Sequence, residues 1–193
     1  MGLDRDRAQK AVTELLEALG ENPSRPGLVD TPRLVADALA DLVSGIGVDP
    51  ADLITALEPA NGSTEPIVLM NIATRSLCEH HLMPFIGIAH VAYVPGTHLT
   101  TLGSLTRVVE TLAAKPQIQE RLGEEIADAL EQGLQARGVL VVLDMAHHCV
   151  TSRGSRQASS RTLTIASRGQ LAQTSDRAEV MALIAASEVT ARG

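Results

Sequence analysis

The order of apolar and polar positions divides the chain into two textures. Residues 7 to 19 place Ala8, Val12, Leu15, Leu16 and Leu19 at the spacing of one helix face, and Asn22-Pro23 with Arg25-Pro26-Gly27 ends that run. Thr31-Pro32 reads as an N-cap with proline at the first helical position, opening a second helix through Leu34, Val35, Ala38 and Leu42. Asp49-Pro50 repeats the device for a short third helix, and Pro59-Ala60-Asn61-Gly62-Ser63 reads as a linker. From Pro66 the pattern changes to short β-branched runs at 67–72, 86–94, 139–143 and 163–165. Between the second and third of these lie two helical stretches, 105–115 and 118–136, separated at Pro116 and stopped by Gly138. A final helix is expected over 177–186. Strands bracketing a helical pair predict an α+β unit, an antiparallel sheet with its helices on one face. The expected division is a helical N-terminal arm, 1–62, and a catalytic domain, 63–193.

Composition narrows the function classes. The chain has 193 residues, 45% of them apolar, but only one Phe, one Tyr and no Trp. The core must therefore be built from aliphatic side chains, and stacking of bases on aromatic rings is largely closed to it. A net charge of -7 repels polyanions on average, which argues against nucleic acid or an anionic membrane as partner and leaves a small nucleotide on a local arginine cluster possible. The first ten residues carry no apolar signal core and no apolar run reaches 18 residues, so a cytoplasmic location is expected. In a reducing compartment, a pair of cysteines is more often metal-binding or catalytic than bridged.

Both cysteines fall beside histidine pairs. Cys78-Glu79-His80-His81 sets a thiolate and an imidazole three residues apart, a spacing from which both reach one Zn²⁺. Far downstream, His147-His148-Cys149 follows an apolar strand that would deliver a third ligand. Three protein ligands leave a tetrahedral metal one open position, the mark of a catalytic site. Two thiolates cancel the formal charge of the ion, so its water would need a proton acceptor close by. His90 and His98 lack such company and read as structural. The nucleoside deaminases also use a His/Cys/Cys zinc site, but their His-x-Glu and Pro-Cys-x-x-Cys signature is absent.

With Pro84-Phe85, Gly87 and His90-Val91-Ala92-Tyr93-Val94-Pro95 added, the Cys-Glu-His-His run resembles the signature of the GTP cyclohydrolase I family. Pro116-Gln117-Ile118-Gln119-Glu120-Arg121-Leu122 and His147-His148-Cys149-Val150 with Arg153-Gly154 continue it. Gly20-Glu21-Asn22-Pro23, Arg25, Gly27-Leu28 and Thr31-Pro32-Arg33 extend the likeness towards the N-terminus. The resemblance implies a tunnelling-fold subunit assembled into a ring, typically a homodecamer with shared active sites. It implies a reaction on GTP or a related purine nucleotide that opens the imidazole ring at C8, releases formate and closes 7,8-dihydroneopterin triphosphate.

Carried over by position, Cys78, His81 and Cys149 match the zinc ligands. His80 and His147 match the histidines that protonate N7 and shuttle protons, a role suited to imidazole near neutral pH. Glu120 matches the carboxylate that anchors guanine, and Gln119 the neighbour placed near the ribose and counted with the catalytic group. Without the resemblance, Gln119 and Glu120 would pass as a solvated helix face. Arg107 and Arg153 match the triphosphate ligands, and Arg153-Gly154-Ser155-Arg156 reads as a small basic turn. Ahead of Arg107 this chain departs from the family. Where members carry Gly-Leu-Ser-Lys, it has Thr101-Leu102-Gly103-Ser104, leaving Ser104 as the polar group in the lysine position. Two other readings follow: a paralogue using the same zinc chemistry on another guanine nucleotide or modified purine, and a non-catalytic, ring-forming binding module. Retention of both proton-handling histidines speaks against the second.

Overall fold

The computed structural model describes residues 3–55, 57–153 and 157–191, so Gly154-Ser155-Arg156 of the expected basic turn lie outside the described residues. Two helices open the chain, α1 (Arg5–Ala18) and α2 (Thr31–Leu42), and they pack on each other. Asp4 caps α1, its carboxylate accepting from the Arg7 N–H. Asp30, rather than the expected Thr31, occupies the cap position of α2, without a side-chain cap bond. Asp49 caps a single 3-10 turn, Pro50–Leu53. The linker expected at residues 59–63 begins in a docked segment: β1 (Glu58–Pro59) pairs antiparallel with β4 (His98–Leu99), and Ala60 is buried. Just upstream, Leu53 and Ile54 sit in the main core.

The sheet contains β2 (Ile67–Cys78), β3 (Pro84–Val94), β5 (Pro116–Gln117), β6 (Gly138–His147) and β7 (Thr162–Gly169), in the order β5-β2-β3-β6-β7. Its long strands are antiparallel as expected, and only the two-residue β5 runs parallel to its neighbour β2. Every long strand extends beyond the β-branched run that announces it. The extensions 73–78 of β2 and 144–147 of β6 are rich in polar and charged residues, yet they pair with β3 through Phe85 and Ile86, and these extensions carry the site. A bulge interrupts β2 between Leu69 and Ile72, where Asn71 takes a left-handed φ of 59°. The Asn71 N–H donates to Nδ1 of buried His90 at 3.4 Å, which gives His90 the structural part expected of it.

Two helices, α3 (Leu102–Ala113) and α4 (Gln119–Leu134), cover one face of the sheet. Leu105, Val108 and Leu112 of α3 and Leu122, Ile126, Leu130 and Leu134 of α4 meet alternate strand residues, Val91 and Tyr93, and Val139, Val141 and Leu143. The period of two sends Ala92, Val94, Leu140 and Val142 to the opposite face. There Val180 and Ile184 of α6 (Thr174–Ala191) cover them, so the one-face arrangement holds for the central helical pair while the C-terminal helix adds a second, smaller core. No helix among the described residues is long and apolar enough to cross a membrane.

Candidate metal centre and active site

Three backbone devices bring the candidate ligands together. Strand β2 ends at Cys78, and the turn that follows folds back so that the His81 and Leu82 N–H groups donate to the Cys78 carbonyl at 3.3 and 2.8 Å. Leu82 closes the turn with φ +50°, a conformation costly for a branched side chain and held by its surroundings. Strand β6 ends at His147, and a four-residue helical turn, α5 (His148–Thr151), begins at once and presents Cys149. The register pairs Phe85 with Ser76 and with His147, so the ends of β2 and β6 flank the start of β3.

The outcome is a compact donor set. The ligating atoms of Cys78, His81 and Cys149 all lie within 4.8 Å of one another. Nδ1 of His81 is 3.8 Å from the Cys78 sulfur, and Nδ1 of His80 is almost as near at 3.9 Å, but only His81 also reaches Cys149. Burial and the adjacent Cys78 sulfur push the Cys149 thiol up, while Arg153 pulls it down. A thiol held up by burial and a neighbouring sulfur is a donor that a cation stabilises, and Cys₂His with an open fourth position suits a catalytic metal. The donor set fits a metal ion held by these three residues.

His80 stands outside the ligand set with a largely exposed side chain, 4.0 Å from a Glu79 carboxylate oxygen. Glu79 also pairs with Arg121 of α4, whose guanidinium holds its carboxyl below the usual range. Arg121 in turn donates to Oε1 of buried Gln117 at 2.9 Å, and Gln117 donates to Glu125. This chain of contacts ties the metal turn to α4. Sequence reading missed it, although Glu79, Gln117 and Arg121 all stand inside the motif runs.

His147 is fixed from two sides. Phe85 stacks on its imidazole with ring centroids 4.7 Å apart and planes 1° from parallel. Gln119 Oε1 lies 2.8 Å from its Nε2. Burial lowers the pKa of His147, and the carboxylate of Glu120 opposes that shift. Gln119 is therefore not part of a solvated face: it is 1% exposed, while its neighbour Glu120 is exposed. Adjacent positions at the start of α4 thus separate into one residue facing the sheet and one facing solvent near His147.

The expected phosphate ligands divide. Arg153 is exposed and close enough to Cys149 to affect its thiol. Arg107 is exposed on α3 and, among the described residues, its side chain forms no hydrogen bond or ion pair. Ser104, the polar group in the lysine position, is turned inward. It is 1% exposed, its hydroxyl donates to the Thr55 carbonyl at 3.1 Å, and its backbone N–H donates to Thr101, the cap of α3. The helix turns this position inward, which sequence alignment alone could not reveal. Arg161 pairs with Asp144 at 2.7 Å.

Comparison with known proteins agrees with this geometry. The family model for GTP cyclohydrolase I matches residues 8–185. The GTP cyclohydrolase 1 of Leifsonia xyli subsp. xyli is 54% identical over 184 residues, covering 95% of this chain and 96% of the relative. That of Thermobifida fusca is 45% identical over 186 residues, covering 95% and 89%. The Streptococcus thermophilus enzyme of the same name is 43% identical over 183 residues, covering 94% and 97%. A match over nearly the whole length, with the Cys-His-Cys donor set assembled by its strand ends, places this chain in the GTP cyclohydrolase I family.

Proposed function

We propose that the protein is a zinc-dependent GTP cyclohydrolase. The observation that carries the reading is the convergence of Cys78, His81 and Cys149 within 4.8 Å, beside an exposed His80 that no ligand role consumes. The net reaction consumes one water per GTP and yields formate and 7,8-dihydroneopterin triphosphate. Cys78, His81 and Cys149 would hold a zinc ion, which would supply the Lewis acidity for water addition at C8. His80 gives a proton to N7, which makes C8 electrophilic, and His147 moves protons through ring opening and ribose rearrangement. Glu120 accepts from guanine N1–H and the 2-amino group, for which an acceptor-only carboxylate is suited. Arg153 and Arg107 hold the triphosphate, with Arg107 contributing across a subunit boundary in a ring-shaped oligomer.

One observation favours a second reading, a member with altered phosphate preference. The family's lysine position is Ser104, which is buried and committed to Thr55, so this chain presents no cation there. The test is to incubate zinc-loaded protein with GTP, GDP, GMP and guanosine and to follow formate and pterin fluorescence. Formate from GTP supports the first reading. Equal turnover of GTP and GMP would shift the assignment to the second, and no formate from any guanine compound would reject both.

A further inference from the structure

The geometry points to Gln119 as the positioning residue that fixes the tautomer of His147, with a hydrogen held on Nε2. The amide of Gln119 can be oriented without ambiguity. Its Nε2 faces the carbonyl oxygens of Leu143 and Thr162 at 2.9 and 2.8 Å and the Thr164 hydroxyl at 3.0 Å. Backbone carbonyls only accept, so turning the amide over would press Oε1 against two carbonyl oxygens in a buried site. Oε1 is thereby directed at His147 Nε2, 2.8 Å away. Oxygen of an amide has no hydrogen to give, so the nitrogen opposite it must carry one.

Stacked Phe85 sets the ring plane, and the acceptors of strands β6 and β7 around the amide nitrogen hold Gln119 itself. The strand ends of the sheet thus set, through one buried amide, which ring nitrogen of His147 carries the hydrogen. This deepens the cyclohydrolase reading and rests on it for the role of His147, but the tautomer is a property of the resting protein.

Neutron diffraction from deuterated crystals of the zinc-loaded protein tests it without substrate. A deuteron is expected on His147 Nε2, directed at Gln119 Oε1. A bare Nε2, or an amide with its nitrogen towards His147, would overturn the proposal. Kinetics adds a separate readout in Gln119→Met, which keeps the volume but removes the acceptor. Turnover of GTP is expected to fall about 10- to 100-fold, with zinc content unchanged and KM within about twofold. Unchanged kcat, or a rise in KM alone, would show that Gln119 acts on the bound substrate or not at all. Should Gln119→Met fail to fold, the neutron result decides alone. Absence of formate from the parent protein would count against the cyclohydrolase reading and leave the deuteron position standing.

Discussion

Removing one thiolate from a three-ligand site should do more harm than removing any residue that merely orients a ligand. Loss of an orienting partner costs about 10- to 100-fold in metal affinity, so Cys149→Ala is expected to exceed that and to lose its zinc on dialysis. Metal analysis checks this, and full occupancy in the variant would remove Cys149 from the ligand set. His80→Ala should behave in the opposite way. Its side chain is exposed and outside the donor group, so zinc is expected to stay while GTP turnover falls by roughly 10²- to 10⁴-fold. Loss of metal from this variant would mean that His80 and His81 have exchanged roles, an alternative their near-equal distances from Cys78 make worth measuring.

At the scale of elements, the site depends on how closely β3 and β6 approach. A Cβ built on Gly87 would lie 2.0 Å from the Asp144 carbonyl oxygen, a backbone atom that cannot move without β6. Gly87→Ala should therefore cost about 1 to 3 kcal/mol, the range for overpacking, and displace His147 at the end of the same strand. Denaturation and GTP turnover measured together check this, and a variant with parental stability and activity would contradict the register. The contact between Glu79 and Arg121 has a smaller part. Both side chains are substantially exposed, so Glu79→Ala, which breaks this contact while leaving Arg121 on Gln117, should leave stability nearly unchanged and speed zinc release to a chelator only a few-fold. A much larger acceleration would show that α4, rather than the turn after β2, holds the metal loop.

For the molecule as a whole, one chain leaves much unpaired. Leu163 and Ile165 are exposed on edge strand β7, and Leu15, Leu19, Val29 and Leu34 are exposed on the N-terminal arm. An open apolar edge and an apolar arm predict self-association beyond a dimer, as a ring would require. Light scattering at micromolar concentration checks it, and an active, monodisperse monomer would exclude a shared site. The arrangement of these parts was only partly legible in the sequence. Helical periodicity located α1 to α4, because their apolar faces and proline or glycine stops are local signals. Strand ends were not legible: residues 73–78 and 144–147 are strands only because β3 lies between them. The donor set could be read from motif spacing, since two cysteines beside paired histidines are rare. Burial of Ser104, the tie between Glu79 and Arg121 and the stacking of Phe85 on His147 depend on tertiary register, which no local pattern encodes.

The most direct measurement follows the fate of one carbon. GTP labelled with ¹⁴C at C8 is incubated with zinc-loaded protein, and labelled formate is separated from labelled nucleotide. One labelled formate per GTP consumed is expected, with 7,8-dihydroneopterin triphosphate formed in equal amount and both lost when a chelator strips the metal. Label that remains in an intact purine, or formate release undiminished in metal-free protein, would contradict the assignment of Cys78, His81 and Cys149 as the centre of the reaction.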